Sequence, residues 1–187
     1  MKEFGKKGYG LSSINTICSE GEISKGILYH YFRDKDELYL ACVKNCFDGL
    51  TEALKQSSIE RTASASDYLQ SYFDIRLAYF EKNPLQLKLF NDAVIDPPVH
   101  IAEAISKTKA EFDRFNTQTL TVLLEKVKLR ADLAIEEVVE VLRLYQNFIN
   151  VKLSKENKDE ADFKKREQVC RKSINILLYG VIEREDN

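Results

Sequence analysis

Hydrophobic residues recur every three or four positions along most of this 187-residue chain. That spacing predicts amphipathic α-helices rather than strands, and the chain is therefore expected to be all-α. Beyond residue 34 the pattern predicts helices over 34–56, 67–82, 84–94, 135–154 and 160–184, and a longer helical segment between 96 and 129 that is kinked near 107–110. Polar breaks are predicted at 57–66 and at the charged linker SKENKDE.

Two short helices joined by a tight turn are predicted before residue 34. Ser12 or Ser13 can cap the first, because a side-chain oxygen at that position accepts a backbone N–H. Gly21 and Glu22 then break the chain, and Ser24 can cap the second helix. A helix, a tight turn containing glycine and a second helix form the helix-turn-helix pattern.

The second short helix is expected to have two different faces. Leu28 and Phe32 are four residues apart and share one face, which must pack on neighbours because so short a helix is unstable alone. Gly26, Tyr29 and His30 point roughly the other way. A slim polar face that is anchored from behind suits a helix that enters a DNA groove.

This N-terminal stretch resembles the DNA-binding region of the tetracycline-repressor-like (TetR/AcrR) transcriptional regulators. The resemblance implies an N-terminal helix-turn-helix DNA-binding domain over residues 1–40 and a C-terminal helical effector-binding and dimerisation domain over residues 41–187. It rests on Phe4, Gly8-Tyr9, Ser12-Ser13-Ile14, Ile23-Ser24-Lys25-Gly26, Leu28-Tyr29-His30-Tyr31-Phe32, Lys35 and Glu37-Leu38.

Two features depart from the family pattern. The family's first helix has further turns before the position of Phe4, so we expect this helix to be truncated here or to begin upstream of Met1. The family's turn glycine stands immediately before Ile23, where this chain has Glu22, and Gly21 lies one residue earlier. Because a non-glycine residue with positive φ is strained, a reshaped turn is expected.

DNA-contact roles follow for residues in and around the second short helix. Lys25 is expected to contact a phosphate or a guanine edge, Gly26 to admit close approach, and Ile27 to meet a thymine methyl. Tyr31, in contrast, is expected to support the core. The candidate DNA-binding residues are Ser13, Ser24, Lys25, Gly26, Ile27, Tyr29, His30 and Lys35.

Ring side chains are concentrated in the central helices, where the resemblance implies a ligand pocket. Each ring alone is compatible with an ordinary core position. Together they predict a small apolar or aromatic effector held by a few polar groups, with Asn91, His100, Gln146 and Asn147 as candidates. The candidate pocket residues are Tyr72, Phe73, Tyr79, Phe90, Phe112, Phe115, Tyr145 and Phe148.

The last two predicted helices are apolar on more than one side. One side can pack within the subunit, and the other most simply meets a twofold copy, which gives a four-helix homodimer interface. The alternative is a monomer in which both helices only complete the core. The candidate interface residues are Val138, Leu142, Ile149, Ile174, Leu177 and Val181.

Charge is distributed unevenly along the chain. The net charge is −2, but residues 1–35 hold six basic and four acidic side chains, so the remainder carries −4. This asymmetry has the sign expected of a DNA-binding end on an acidic body. No stretch approaches the ~20 apolar residues of a membrane span, and the N-terminus is polar, so a cytoplasmic protein without a membrane partner is expected.

The cysteines and histidines indicate no catalytic centre. The four cysteines, Cys18, Cys42, Cys46 and Cys170, form no CxxC motif and are expected to be buried thiols, with redox or metal sensing by Cys42 and Cys46 as the alternative. With two histidines and no hydrolytic or phosphate-binding motif, we expect no enzyme activity, no cofactor and no metal.

These observations predict a ligand-responsive, DNA-binding transcriptional regulator. Because most members of the resembled family repress, a repressor is expected, which binds a pseudo-palindromic operator as a homodimer and is released by a small molecule. The alternative is a helical ligand-binding protein of the same ancestry that has lost DNA binding.

Overall fold

The computed structural model describes residues 1–56, 64–154 and 160–181, without the side chains of 65, 66, 149–154, 160–162 and 181. Within these ranges the chain forms ten α-helices and one short 3-10 helix, and no strand is present, so the all-α prediction is confirmed. The helices are α1 (Lys2–Leu11), α2 (Ile14–Glu20), α3 (Lys25–Tyr31), α4 (Lys35–Gln56), α5 (Ala65–Lys82), α6 (Pro84–Ile95), α7 (Ala102–Thr108), α8 (Ala110–Leu124), α9 (Ile135–Ser154) and α10 (Glu160–Val181).

The segment between 96 and 129 is broken where the sequence predicted a kink. A 3-10 helix over Val99–Ile101 precedes α7, and Lys109 separates α7 from α8. Asp96 ends α6, and its backbone N–H donates to the Asp92 carbonyl at 3.3 Å. The two prolines that follow cannot continue the helix, which fixes the break after Asp96. The predicted linkers at 57–66 and 154–160 fall mostly outside the described residues.

The chain divides into two compact units. Unit 1 comprises Met1–Glu52 and Phe80–Phe112, and unit 2 comprises Ala53–Tyr79 and Asp113–Asn187. Three helices, α4, α5 and α8, contribute residues to both units. The predicted domain boundary at residue 40 stays a prediction.

Aromatic rings form much of the core of unit 1. Tyr39 is fully buried, and its ring packs edge-on against Phe4 at a centroid distance of 5.1 Å. The ring centroid of Phe47 lies 5.4 Å from that of Phe90 and 5.1 Å from that of Phe112. Such ring pairs add to the free energy of apolar burial and fix the positions of α1, α4, α6 and the start of α8 within this unit.

Helix α1 lies with its backbone directly on α6. A Cβ atom at Gly5 would come within 2.5 Å of the Leu85 carbonyl oxygen. Gly8 has a φ of 73°, which interrupts the helical geometry of α1, and a Cβ there would come within 2.8 Å of Asp92 Oδ2. Only glycine permits the close approach at Gly5, and at Gly8 the positive φ favours glycine.

All four cysteines are buried, as the sequence predicted. Burial raises the pKa of the Cys46 thiol to about 12, so this thiol is protonated at neutral pH. None of the helices in the described part of the chain combines the length and the apolarity that a membrane span requires.

Candidate nucleic-acid interface and buried cavity

Two backbone hydrogen bonds close the turn between α2 and α3. The Ile23 N–H donates to the Cys18 carbonyl at 3.0 Å, and the Glu22 N–H donates to the Ser19 carbonyl at 3.4 Å. This is the Schellman motif, in which the residue after the cap takes the left-handed conformation. That residue is Glu22, with a φ of 53°, whereas Gly21 has a φ of −89°. The turn therefore keeps the usual Schellman geometry and the expected reshaping is not seen, because Glu22 itself takes the left-handed conformation.

Replacing Glu22 with glycine is expected to raise the free energy of unfolding by about 0.5–1 kcal/mol. The left-handed conformation costs an L residue about 1–2 kcal/mol, and the greater freedom of glycine in the unfolded chain offsets part of that gain. The matched control is Glu22→Gln, which removes the charge but keeps the Cβ atom. Urea unfolding followed by circular dichroism distinguishes the two variants, and an equal gain in both would assign the effect to charge rather than to backbone strain.

Helix α3 is capped at its start and anchored by one side chain. The Ser24 hydroxyl accepts the Ile27 N–H at 3.2 Å, which confirms Ser24 as the cap. Leu28 is buried, with 3% of its surface exposed, and Phe32 is half-buried at the end of the helix. Asp34 then caps α4 by accepting the Glu37 N–H at 2.9 Å. These contacts hold a two-turn helix that has little stability of its own.

The outer face of α3 is open to solvent. Ile27 is 53% exposed and Tyr29 is 47% exposed, and Lys25, Gly26 and His30 are exposed as well. A Cβ atom at Gly26 would meet only the Ser24 hydroxyl, at 3.7 Å, so the absence of a side chain is not required by packing. This face can therefore approach a ligand surface closely. Binding of DNA by these residues stays a prediction.

Tyr31 is 72% exposed, and its expected role in the core is wrong. Periodicity favours burial because Tyr31 lies only about 60° around the helix from Leu28. The helix ends at Tyr31, however, and the extended backbone of Phe32 (φ −133°) carries the chain away before Tyr31 meets a neighbour. Its ring packs edge-on against His30 at 5.1 Å. Tyr31 thus joins the exposed face of α3, and sequence reasoning missed it.

The cations near α3 differ in how much their charge is balanced by neighbours. Lys25 is exposed, and the described residues offer it no ion-pair partner. Arg33 is paired with Glu37, with Nε 3.3 Å from the carboxylate. Lys35 Nζ lies 4.4 Å above the ring of Tyr9, a cation–π contact that holds it beside α1. Lys25 is therefore the cation of this group that is most available to an external anion.

The start of α2 is held by α1. The Glu3 carboxylate, which is buried, accepts the Ser13 N–H at 3.2 Å and the Lys7 ammonium at 3.0 Å. The hydrogen bond from Lys7, helped by that from Ser13, holds the pKa of Glu3 below its usual range. Ser13 begins α2, but its own side chain makes no cap bond. The Ser13 N–H is thus already bonded within the protein, and its contact with a phosphate stays a prediction.

A polar cluster joins α1, α4 and the 3-10 helix within unit 1. The Tyr9 hydroxyl donates to Asp36, and His100 Nε2 lies 3.2 Å from the same Asp36 oxygen and 3.1 Å from the Tyr9 hydroxyl. Desolvation and the neighbouring carboxylate raise the pKa of Tyr9 to about 12. His100, one candidate for holding an effector, is therefore engaged in positioning α1 and α4.

Unit 2 contains a small cavity that is open to solvent on one side. The walls are side chains from α5, α8, α9 and α10, mostly aliphatic or aromatic. They are Tyr68, Leu69, Tyr72, Phe73, Asn116, Thr119, Leu120, Leu142, Gln146 and Ile174.

The predicted pocket residues are distributed over three environments. Tyr72 and Phe73 line the cavity of unit 2. Phe90 and Phe112 belong instead to the ring cluster of unit 1, because α6 and the start of α8 pack there on Phe47. The other four lie outside the lining: Tyr79, Phe115 and Tyr145 are half-buried, and Phe148 is 59% exposed. Composition identified the helices but not the faces that meet at the cavity.

A buried cluster of charges lies one helical turn from the cavity. Arg76 Nη2 is 3.3 Å from Glu167 Oε1, and both side chains are almost fully buried. Arg166 is also buried, and desolvation lowers the pKa of its guanidinium although the Glu167 charge opposes that change. Arg76 follows Tyr72 by four residues on α5, so the two side chains share one face of the helix. Sequence reasoning did not predict this cluster.

The predicted interface positions on α9 and α10 are partly internal. Val138, Leu142 and Ile174 are buried in the single chain, and Leu177 is half-buried. The side chains of Ile149 and Val181 lie outside the described residues. A different set of apolar side chains is exposed, here called the α9–α10 apolar face: Val141, Leu144, Phe148, Val169, Ile176 and Tyr179.

Residues 1–42 match a family model described as bacterial regulatory proteins, tetR family. The HTH-type transcriptional regulator HbdR of Aromatoleum sp. is 38% identical over 47 residues, which are 25% of this chain and 20% of HbdR. The HTH-type transcriptional activator FasR of Mycolicibacterium smegmatis is 28% identical over 98 residues, which are 51% of this chain and 44% of FasR. The matches span less than half of the length of either curated relative.

A solved structure shares the fold over nearly the whole chain. The crystal structure of a TetR family transcriptional regulator from Chloroflexus aurantiacus has a TM-score of 0.63 at 22% sequence identity, covering 98% of this chain and 89% of that one. The likeness to this structure shows the all-helical fold, and the capped, exposed α3 is the second helix of a helix-turn-helix within the matched residues 1–42. The match to the tetR family model falls on residues 1–42, the stretch that carries the resemblance seen in the sequence.

Proposed function

We propose that this protein is a dimeric, effector-responsive transcriptional repressor that acts in the cytoplasm, where its operator DNA lies. Residues 1–40 form its DNA-binding domain, and residues 41–187 carry effector binding and dimerisation. The observation that carries the proposal is the outer face of α3, which exposes Lys25, Gly26, Ile27, Tyr29 and His30 while Leu28 holds the helix from behind.

The contacts of α3 with DNA follow from its chemistry. Lys25 neutralises a phosphate or donates to a guanine edge, and the Ile27 side chain meets a thymine methyl. Phosphates or base edges in the major groove accept hydrogen bonds from Tyr29, His30 and Tyr31. Gly26 lets the helix backbone approach the bases without an intervening side chain.

The dimer uses the α9–α10 apolar face. On α9, Val141, Leu144 and Phe148 have i, i+3, i+7 spacing, and on α10 Ile176 and Tyr179 lie three residues apart. Pairing this face with its twofold copy removes it from water in a four-helix arrangement. A twofold dimer presents two α3 helices, which suits a pseudo-palindromic operator whose half-sites are about one helical turn (34–36 Å) apart or a multiple of it.

Effector control is exerted through the cavity of unit 2. The dimer can adopt conformations in which the distance between its two α3 helices does not match the half-sites of the operator. A ligand that prefers such a conformation shifts the population away from the DNA-bound form. The coupling is reciprocal, so operator DNA weakens effector binding by the same factor. The relative FasR is named an activator. For this chain we propose repression, because a pair of α3 helices bound to the operator would most simply block transcription.

DNA binding tests the core of the proposal, with Lys25→Ala as the decisive variant. Selection from a random duplex pool should enrich a pseudo-palindrome, and binding to it should weaken steeply with salt. Lys25→Ala should lower the affinity about tenfold and reduce the salt slope by about one unit, because one phosphate or base contact is lost.

The matched control is Lys107→Ala, an exposed lysine on α7 that pairs with Glu103. It should bind the selected duplex as the parent protein does. A parent protein that enriches no sequence and ignores DNA at low salt would support the alternative function, a ligand-binding protein that has lost DNA binding.

A further inference from the structure

We propose that the cavity of unit 2 takes an uncharged, largely apolar ligand that carries one hydrogen-bond acceptor, such as a ketone or amide carbonyl. The proposal names the chemical class of the effector and so rests on the proposed function. It is carried by the identity of the wall side chains and by the hydrogen bonds that those side chains already make.

The cavity wall holds no formal charge. Seven of its ten residues are aliphatic or aromatic, and the remaining three are Asn116, Thr119 and Gln146. A largely apolar wall with a few polar groups gains affinity by covering apolar surface and fixes orientation with those polar groups. The apolar body of the ligand therefore lies against the rings and aliphatic side chains, with its polar end towards α8 and α9.

Hydrogen bonds within the wall determine which polar group the ligand must bring. The Tyr72 hydroxyl donates to Asn116 Oδ1 at 2.8 Å. This hydrogen bond places the Asn116 amide with its oxygen towards Tyr72 and its nitrogen away from that hydroxyl. The Asn116 nitrogen then presents N–H donors, which require an acceptor on the ligand.

Charged ligands of either sign are disfavoured, a cation by the buried arginines behind the wall and an anion by the loss of its hydration. Arg76 and Arg166 disfavour a cation, and Arg76 is already paired with Glu167. A carboxylate in the cavity would lose its water and gain only amide and hydroxyl donors. That loss outweighs the roughly fivefold to tenfold gain in affinity from each neutral hydrogen bond, because an incompletely paired buried charge weakens binding by more than about a hundredfold.

Three naphthalene derivatives of similar shape test the ligand class. 2-Acetylnaphthalene offers a neutral carbonyl, 2-naphthoate a carboxylate and 2-ethylnaphthalene no acceptor. In calorimetric titrations of the full chain, the ketone should bind at least about tenfold more tightly than either of the other two. Naphthoate binding as tightly as the ketone, or a ketone that does not bind, would overturn the proposal.

Variants locate the bound ketone. Asn116→Leu should weaken ketone binding about fivefold to tenfold and leave 2-ethylnaphthalene unchanged, because only the ketone uses the amide donors. Gln146→Leu provides a second variant of the wall, and Gln118→Leu, an exposed glutamine on α8, is the matched control. Ketone binding that none of the variants alters would place the ligand elsewhere and refute the assignment.

Operator binding separates this proposal from the proposed function. A chain that binds the selected duplex but prefers naphthoate refutes the ligand class alone. A chain that binds the ketone as predicted but ignores DNA at low salt refutes the regulator alone.

Discussion

Replacing Glu167 with leucine is expected to lower the free energy of unfolding by about 3–5 kcal/mol, because it leaves buried guanidinium groups without their carboxylate. Glu167 is 2% exposed and pairs with Arg76, which is 3% exposed, and Arg166 is buried beside them. Without Glu167 the cluster would hold two like charges in a poorly hydrated environment. Urea unfolding followed by circular dichroism measures the loss.

Replacing Arg76 instead should lower the free energy of unfolding by less than replacing Glu167. The comparison therefore tests whether the balance of charges within the cluster decides the loss. Arg76→Leu leaves Glu167 with Arg166, so one charge of each sign remains, and the double variant leaves one positive charge, on Arg166. The expected order of destabilisation is Glu167→Leu, then the double variant, then Arg76→Leu. Glu103→Leu breaks an exposed pair with Lys107 and should change stability by less than about 1 kcal/mol. Equal losses in both single variants would show that packing, rather than charge, dominates this cluster.

Introducing lysine at both Leu144 and Ile176 should convert the proposed dimer into a monomer and lower operator affinity by about a hundredfold or more. Both side chains are exposed in the single chain, at 58% and 61%, so neither change disturbs the buried core. In a twofold interface each lysine would be buried with its symmetry mate, and burying unpaired charge is strongly unfavourable. Sedimentation equilibrium gives the oligomeric state.

The matched control for the dimer is Val99→Lys, because Val99 is 93% exposed on the 3-10 helix. It should sediment as the parent does. A Leu144→Lys/Ile176→Lys variant that stays dimeric would show that the α9–α10 apolar face is not the interface, whereas a parent that is monomeric at every concentration would remove the dimer from the proposal.

Features that depend on neighbouring residues along the chain were predictable from the sequence. Helical periodicity placed α4, α6 and α9 within a residue or two, and capping chemistry placed Ser24 at the start of α3. The position of the turn between α2 and α3 also followed from Gly21 and Glu22, although its expected reshaping did not occur. Each of these features is decided by contacts a few residues apart, which is the range over which sequence patterns are informative.

Features that depend on which faces meet were not predictable. An apolar stripe on two sides of α9 does not say which side is internal, and the structure turns Leu142 inward and Leu144 outward. The Arg76–Glu167 pair joins residues 91 positions apart, and the His100 contact with Asp36 joins residues 64 apart. Neither pair has a local signal, because each is produced by helix packing rather than by spacing along the chain.

The close contact between α1 and α6 limits how unit 1 can deform. At Gly5 the main chain of α1 rests on the main chain of α6, and even an alanine methyl there would collide with the Leu85 carbonyl. Rotamer changes at Gly5 cannot absorb a displacement of α6, since glycine has no rotamers to change. Any sliding of α6 along this contact must therefore move α1 as well. The start of α2, which Glu3 holds, would move with α1 as one rigid body.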